Sequence, residues 1–254
     1  MNTTDNIRSI DLNADLGEGI GDDAAMLAMV SSASIACGAH AGGPDEMSVA
    51  FAAALRHHVA VGAHPGYADR AHFGRVAVPR TYVEIERLVA DQVALACGLA
   101  RQAGHEITYV KAHGALYHLA AIDADAARAI ARAIRAVDPT LACLCLAGSA
   151  GAKATAATGL RVAAEVFADR AYLPDGALVP RGAPGAVILD AAVVTTRALR
   201  MLETGTIPAV DGSLRPVQID SICLHGDTPG AVTLARALHS GLVAAGWRIA
   251  PFAP

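Results

Sequence analysis

Short apolar runs alternate along this chain with longer Ala-rich segments of helical period, the pattern that builds parallel sheets and barrels. Runs near residues 7–12, 33–38, 59–63, 107–112, 141–147, 161–166 and 219–225 predict strands, seven in all. Segments near 23–31, 44–58, 81–103, 123–137, 149–158, 188–204 and 229–245 predict helices between them. Thr81 followed by Glu84 forms a capping-box start for the third helix, and Gly104 beyond its apolar face marks the stop. The Gly- and Pro-rich stretch 167–187 reads as a long functional loop and not as a domain linker. Strand and helix alternating over 254 residues predict a single α/β barrel domain covering 1–254.

Chemistry gathers at the ends of the predicted strands. Four runs finish on a histidine beside glycine or alanine, at His40, His64, His113 and His225, and a fifth, Ile10 to Glu18, finishes in acids. Parallel barrels bring the C-terminal ends of their strands to one mouth, where active sites are built. Side chains alternate faces along a strand, so Asp11, Asn13 and Asp15 share a lumen-facing side if the first strand runs that far, while Ile10, Leu12 and Ala14 pack outward. Carboxylates gathered there must be protonated, hydrogen-bonded or held on a cation. Converging imidazoles supply metal ligands or proton-transfer groups near neutral pH. Lys111 shares a face with His113 and either balances the carboxylates or orients an anionic substrate; an internal ion pair without a catalytic role is the plainer alternative. Asp15 to Glu18 can equally be a polar turn that caps the next helix. His57, His58, His72, His105, His118 and His239 read as fillers, mostly on helix or loop surface.

Composition narrows the class. Apolar residues make up 54% of the chain and charged ones 17%, below the usual quarter, which leaves a large core and some apolar surface for a partner. A net charge of −4 with dispersed basic residues gives no footprint for nucleic acid. No run is long enough to span a bilayer, and Met1 to Asp5 lack the basic start of a secretory signal. Five cysteines without CxxC spacing read as buried thiols of a reducing compartment, so a cytoplasmic location is expected. In the loops, arginine's planar fork suits carboxylate or phosphate, with Arg75 and Arg170 preferred over Arg181. Gly148 to Lys153 lacks the glycine before lysine and the Ser/Thr after it that a Walker A loop needs, and neither GxGxxG nor GxSxG occurs. Any nucleotide is then held by other means or by another chain.

Seven segments in order, Asp11–Glu18, Ile35–Gly42, Gly62–Tyr67, Phe73–Arg75, Lys111–Tyr117, Glu165–Arg170 and Cys223–Asp227, resemble the LamB/YcsF family over residues 8 to about 245. The resemblance implies a distorted (β/α)7-like TIM-type barrel of the glycoside hydrolase/deacetylase kind. It also implies the work of the A subunit of an ATP-dependent 5-oxoprolinase, which opens 5-oxo-L-proline to L-glutamate while ATP becomes ADP and phosphate, jointly with subunits B and C. ATP and Mg2+ are the implied cofactors. On this reading the mouth binds the lactam or its phosphorylated form, Asp15 or Asp11 activates water, His113 passes the proton and Lys111 stabilises developing negative charge. Asn13, Glu18, Arg75, Glu165, Asp169, Arg170 and His225 are the expected substrate contacts. Related deacetylase barrels use an Asp-His-His metal site, for which Asp15, His40 and His64 are the matching residues. Departures from the family pattern are Ser34, Ala112 and Val76, the last standing where a second arginine is usual, which counts against a two-Arg phosphate clamp on that loop. Two other classes stay open: a binding and assembly subunit that presents lactam to its partners, and a stand-alone metal-dependent deacetylase or sugar hydrolase.

Overall fold

The computed structural model describes residues 8–228 and 230–253; the predicted strand position 7 and helix position 229 lie outside them. In chain order the strands are β1 (Ser9–Leu16), β2 (Ser32–Ala36), β3 (Ala60–His64), β4 (Ile107–Val110), β5 (Ala142–Leu146), β6 (Val162–Phe167), β7 (Thr206–Pro208), β8 (Leu214–Pro216), β9 (Ser221–His225) and β10 (Arg248–Ile249). β1 to β6 and then β9 are successive parallel neighbours, and β9 pairs back onto β1, so the seven predicted strands close into a barrel. β10 extends the lower edge of β1, and β7 with β8 forms a separate antiparallel hairpin.

The helices α1 (Asp23–Leu27), α2 (Pro44–His57), α3 (Tyr82–Gln102), α4 (Gly114–Ile122), α5 (Ala124–Val137), α6 (Ala150–Ala156), α7 (Ala191–Thr204) and α8 (Ala231–Ala244) complete the elements. α3 starts as expected: the Thr81 hydroxyl accepts from the Glu84 N–H, and the Glu84 carboxylate accepts from the Thr81 N–H. α5 buries Ala126, Ile130, Ala133 and Ile134, a stripe at three- and four-residue spacing, and packs on α3. α1 stops four residues before the predicted end. α4 was not predicted, and neither were the hairpin and β10. None of the helices of the described residues is long and apolar enough to cross a membrane.

β1 runs through Leu16, so Asp11, Asn13 and Asp15 do line the lumen, paired in register with Ser221, Cys223 and His225 of β9. The lumen fills in layers. At the bottom Tyr109 packs on Ala142, Leu144 and Ala163, with its hydroxyl 3.2 Å from Ser34 Oγ. A Cβ on Gly62 would stand 2.3 Å from that ring, so β3 has no side chain where Tyr109 crosses the barrel. Around this plug the Asp11 carboxylate accepts from Ser31 Oγ at 2.6 Å, from Ser32 Oγ at 2.8 Å and from Ser221 Oγ. The structure therefore does not place Asp11 at the mouth. A strand rises roughly 3.3 Å per residue, which sets it about 13 Å back along β1 from Asp15.

Candidate active site at the barrel mouth

One layer above the plug, the Lys111 ammonium lies 2.8 Å from Asp15 Oδ1, 2.8 Å from Glu165 Oε2, 3.3 Å from Asn13 Oδ1 and 3.1 Å from Cys223 Sγ. Three N–H donors are thus fully engaged by interior acceptors. The Asn13 amide donates to Glu165 at 3.1 Å and Ser221 at 2.7 Å, and the Tyr117 hydroxyl donates to Glu165 Oε1 at 2.9 Å. Burial opposes the charge on Asp15, yet His64 and Lys111 outweigh it and hold the carboxyl well below the usual range. Burial likewise works against the ammonium of Lys111, and Asp15 with Cys223 and Glu165 reverses that, holding it well above an ordinary lysine. Asp15 and Lys111 stay ionised as a pair.

At the strand tips three imidazoles meet. His40 stacks on His113 with ring centroids 3.7 Å apart, and His64 stands edge-on to both. His64 Nδ1 lies 2.7 Å from the Lys111 carbonyl, and His113 Nε2 lies 2.8 Å from the Phe73 carbonyl. Phe73 is turned to that ring by a left-handed backbone (φ 56°), a strained conformation for a residue with a side chain. Gly74 follows at φ +62°, where a Cβ would stand 2.8 Å from His40 Cβ; only glycine lets this loop close over the imidazoles. Glu18 Oε1 is 3.6 Å from His40 Nε2 and 3.8 Å from His113 Nδ1. Burial raises the Glu18 carboxyl to about 9, with Asp15 and Asp227 acting in the same direction. Burial and neighbouring His64 lower His40 to about 3 and hold His113 far below the usual imidazole range.

These groups open onto a cavity of about 240 Å³ walled by Asp15, His64, Lys111, His113, Tyr117, Phe167, His225, His118 and the three arginines Arg75, Arg170 and Arg181. His225 Nδ1 lies 3.0 Å from Asp169 Oδ2, and its ring stacks on Phe167, so a buried carboxylate fixes the imidazole and leaves Nε2 as the free nitrogen. Arg75 and Arg181 both reach Asp227. Arg170 is buried and donates to the carbonyls of Val179 and Ala186, which folds the 167–187 stretch over the mouth. Leu178, Pro180 and Arg181 of that stretch wall the cavity.

Of the expected site residues, Asp15, Lys111, His113, Arg75, Arg170 and His225 wall the cavity, and His64 joins them from the expected metal set. Asn13 and Glu165 lie beneath it in the Lys111 network, Asp169 lies behind His225, and Glu18 and His40 lie behind His113. Asp15 Oδ1 is committed to Lys111 while its Oδ2 lies 3.5 Å from His64 Nε2, and the tight cluster of ligand atoms around His40 and His64 is completed by Glu18 and His113. Sequence reasoning missed Tyr117 and left His118 as filler. Tyr117 follows His113 by four residues, one helical turn on α4, with His118 next to it, and recognising that helix is what brings them to the mouth.

The fold is a closed seven-stranded parallel (β/α) barrel of the TIM type with its polar groups gathered at one mouth. A structure described as T48 deacetylase with substrate shares this fold at TM-score 0.52 and 13% identity, over 97% of this chain and 89% of that one. The LamB/YcsF family model matches residues 10–254, and the chain belongs to that family. It is 51% identical over 253 residues to the 5-oxoprolinase A subunit of Azorhizobium caulinodans, covering 97% of this chain and 99% of that one. Against the protein of the same name from Rhodopseudomonas palustris (strain BisB5) it is 49% identical over 250 residues, covering 96% and 98%. The crystal structure of the lactam utilization protein from Thermus thermophilus superposes at TM-score 0.90 with 40% identity, covering 95% of this chain and 99% of that one.

Proposed function

We propose that this chain is the A subunit of an ATP-hydrolysing 5-oxoprolinase and that its barrel mouth binds 5-oxo-L-proline, working in the cytoplasm with subunits B and C. The observation that carries the reading is the cavity itself: a small, cation-rimmed pocket over an ionised Asp15–Lys111 pair, in a chain about 50% identical to subunits of that name along nearly its whole length. Five free thiols agree with a reducing compartment. At about 240 Å³ the cavity falls below the range of roughly 300–1,000 Å³ typical of drug-sized ligands, which suits a lactam of this size and not a whole nucleotide. ATP with its Mg2+ is therefore assigned to a surface completed by the partners.

An unstrained lactam is a stable amide with a poor leaving group. Phosphorylating its carbonyl oxygen makes the carbonyl carbon accept water; the ring C–N bond then breaks as the nitrogen takes a proton. A second water releases the phosphate. Arg75 and Arg181 at the rim hold the substrate carboxylate. Asp15, held ionised by Lys111, orients the attacking water, and His225, fixed by Asp169, delivers the proton to nitrogen; His113, expected to pass that proton, has its Nε2–H spent on the Phe73 carbonyl. Asp11 has no part in this, being at the bottom of the lumen.

A reading in which the chain only presents lactam to its partners is favoured by the cavity's size and by the missing nucleotide motifs. One experiment separates the two. 5-Oxoproline-dependent ADP release is measured for this chain alone and for the complex co-purified with its partners, each with the native sequence and with Asp15→Asn. The expected result is turnover in the complex only, lowered about 10²–10⁴-fold by Asp15→Asn while lactam binding by calorimetry persists. Unaltered turnover in the Asp15→Asn complex establishes the presenting role, and no lactam binding to either form overturns both.

A further inference from the structure

His64 and His113 each spend one ring nitrogen on a backbone carbonyl, at Lys111 and at Phe73. A carbonyl oxygen only accepts, so those nitrogens, His64 Nδ1 and His113 Nε2, carry the ring protons. In neutral rings the remaining nitrogens, His64 Nε2 and His113 Nδ1, then point lone pairs at each other across 3.0 Å. Such a contact is repulsive unless a cation shares it. A proton would serve this pair, but it would leave a second defect in place. His40 is 1% exposed, and among the described residues neither of its ring nitrogens has a hydrogen-bond partner. Buried imidazole nitrogens without partners are costly, and in a native structure they call for a ligand.

The geometry points to a divalent transition-metal site formed by Glu18, His40, His64 and His113. One ligand atom from each of these four lies within 4.8 Å of all the others, and all four residues are buried. At metal–ligand distances of roughly 2.0–2.2 Å, donors in a tetrahedral shell stand about 3.4 Å apart. The 3.0, 3.6 and 3.8 Å separations of His64 with His113, His40 with Glu18, and His113 with Glu18 bracket that value. The backbone carbonyls on the far nitrogens of His64 and His113 are the outer partners that orient ligating imidazoles. Three imidazoles and one carboxylate suit Zn2+ or its first-row neighbours, not Mg2+ or Ca2+. The ligand set differs from the Asp-His-His set expected by fold analogy: Asp15 Oδ1 stays with Lys111 and its Oδ2 lies 3.5 Å from His64 Nε2 as an outer neighbour, while Glu18 and His113 complete the cluster with His40 and His64. Because His64 and His113 also wall the cavity, the ion borders the substrate pocket, where its chemistry is Lewis acidity. The inference concerns metal binding and stands independently of lactam turnover.

The test uses the full chain, stripped with a chelator and titrated with Zn2+ by calorimetry and with Co2+ by visible absorption, which reports four-coordinate nitrogen and oxygen ligation. Uptake of one ion per chain and a rise in melting temperature are expected. Glu18→Gln and His113→Ala each lower affinity by more than about 100-fold, beyond what outer-shell changes cost. Asp15→Asn, which removes a charge 3.5 Å from His64 Nε2 but no ligand atom, costs less than either, within the roughly 10–100-fold of an outer-shell change. Circular dichroism of the metal-free variants separates loss of a ligand from loss of fold, and His40→Ala provides a further ligand deletion at the position without partners. No stoichiometric uptake by the native chain, or loss of binding in Asp15→Asn with Glu18→Gln unaffected, overturns the proposal.

Discussion

The lower lumen and the mouth are built from the same strands, yet they treat polar atoms in opposite ways. At the bottom, Asp11 meets three hydroxyls and the tyrosine plug has its serine. In the layer above, every donor of Lys111 finds an acceptor. At the tips, His40 has no partner among the described residues, two imidazole nitrogens meet at 3.0 Å, and Phe73 holds a strained backbone. Burial does not explain the contrast, since Asp11 and His40 are each 1% exposed. A buried polar group that is fully matched stabilises the fold; one left unmatched in a well-packed place stores free energy for a ligand. The lower layers hold the barrel together, and the mouth is built to be completed by what it binds.

Lys111 offers the hardest test of that contrast, because it is the joint between the two regions. Lys111→Met removes the cation between Asp15 and Glu165 and strands two buried carboxylates. Breaking a buried pair from one side costs about 3–5 kcal/mol, so urea denaturation should show a loss of that size. Adding Asp15→Asn and Glu165→Gln to the same chain should restore most of it, since the loss comes from uncompensated charge and not from packing. A Lys111→Met chain as stable as the native one would mean that the middle layer is not the matched network described above.

Much of this contrast was legible in the amino-acid order. Period-two alternation from Ile10 onward put Asp11, Asn13 and Asp15 on the lumen side, and apolar runs ending in His40, His64, His113 and His225 marked strand tips. Depth was not legible. A strand's alternation tells which face a side chain takes but not which layer of the closed barrel it reaches, and so Asp11 and Asp15 looked interchangeable as bases. Pairing was not legible either: Lys111 meets Glu165 and Cys223 only because β4 faces β6 and β9 across the lumen. α4 escaped notice because Gly114 to Ile122 is apolar nearly all round and starts directly at a strand tip, so it shows no stripe and no spacer. The β7–β8 hairpin has strands of three residues, too short to establish a period.

A smaller effect separates the two regions by pH. Burial raises the Asp11 carboxyl to about 6 from an ordinary 3.8, against the pull of its three hydroxyls and with Glu165 adding to the rise. The folded chain therefore holds this proton more tightly than the unfolded chain. Its contribution to stability is fully present below pH 3.8 and is lost as pH rises through 6. Asp11→Asn should remove that component. The stability difference between native and variant chains should then change by up to about 3 kcal/mol between pH 4 and 7, with the native chain losing ground as pH rises. Denaturation curves at several pH values check this, and a constant difference would show that the hydroxyl cradle offsets burial completely.

The smallest expected effect lies at the rim, where Arg75 is about one-third exposed and shares Asp227 with Arg181. Surface ion pairs contribute about 0–1 kcal/mol, so Arg75→Ala should leave the melting temperature nearly unchanged. Its consequence belongs to binding. If the rim arginines hold the substrate carboxylate, losing one charge-assisted contact worth about 1.5 kcal/mol raises KM for 5-oxoproline about tenfold in the assembled enzyme, with kcat little altered. Arg181→Ala should give a similar change, and the double variant should exceed either alone, because each arginine makes its own contact to the substrate carboxylate. The pattern has a second requirement: an amide in place of the substrate carboxylate should bind equally poorly to native and variant enzymes. A stability loss in Arg75→Ala as large as that in Lys111→Met would dissolve the boundary between lower lumen and mouth, since an unmatched rim should be removable without cost to the fold.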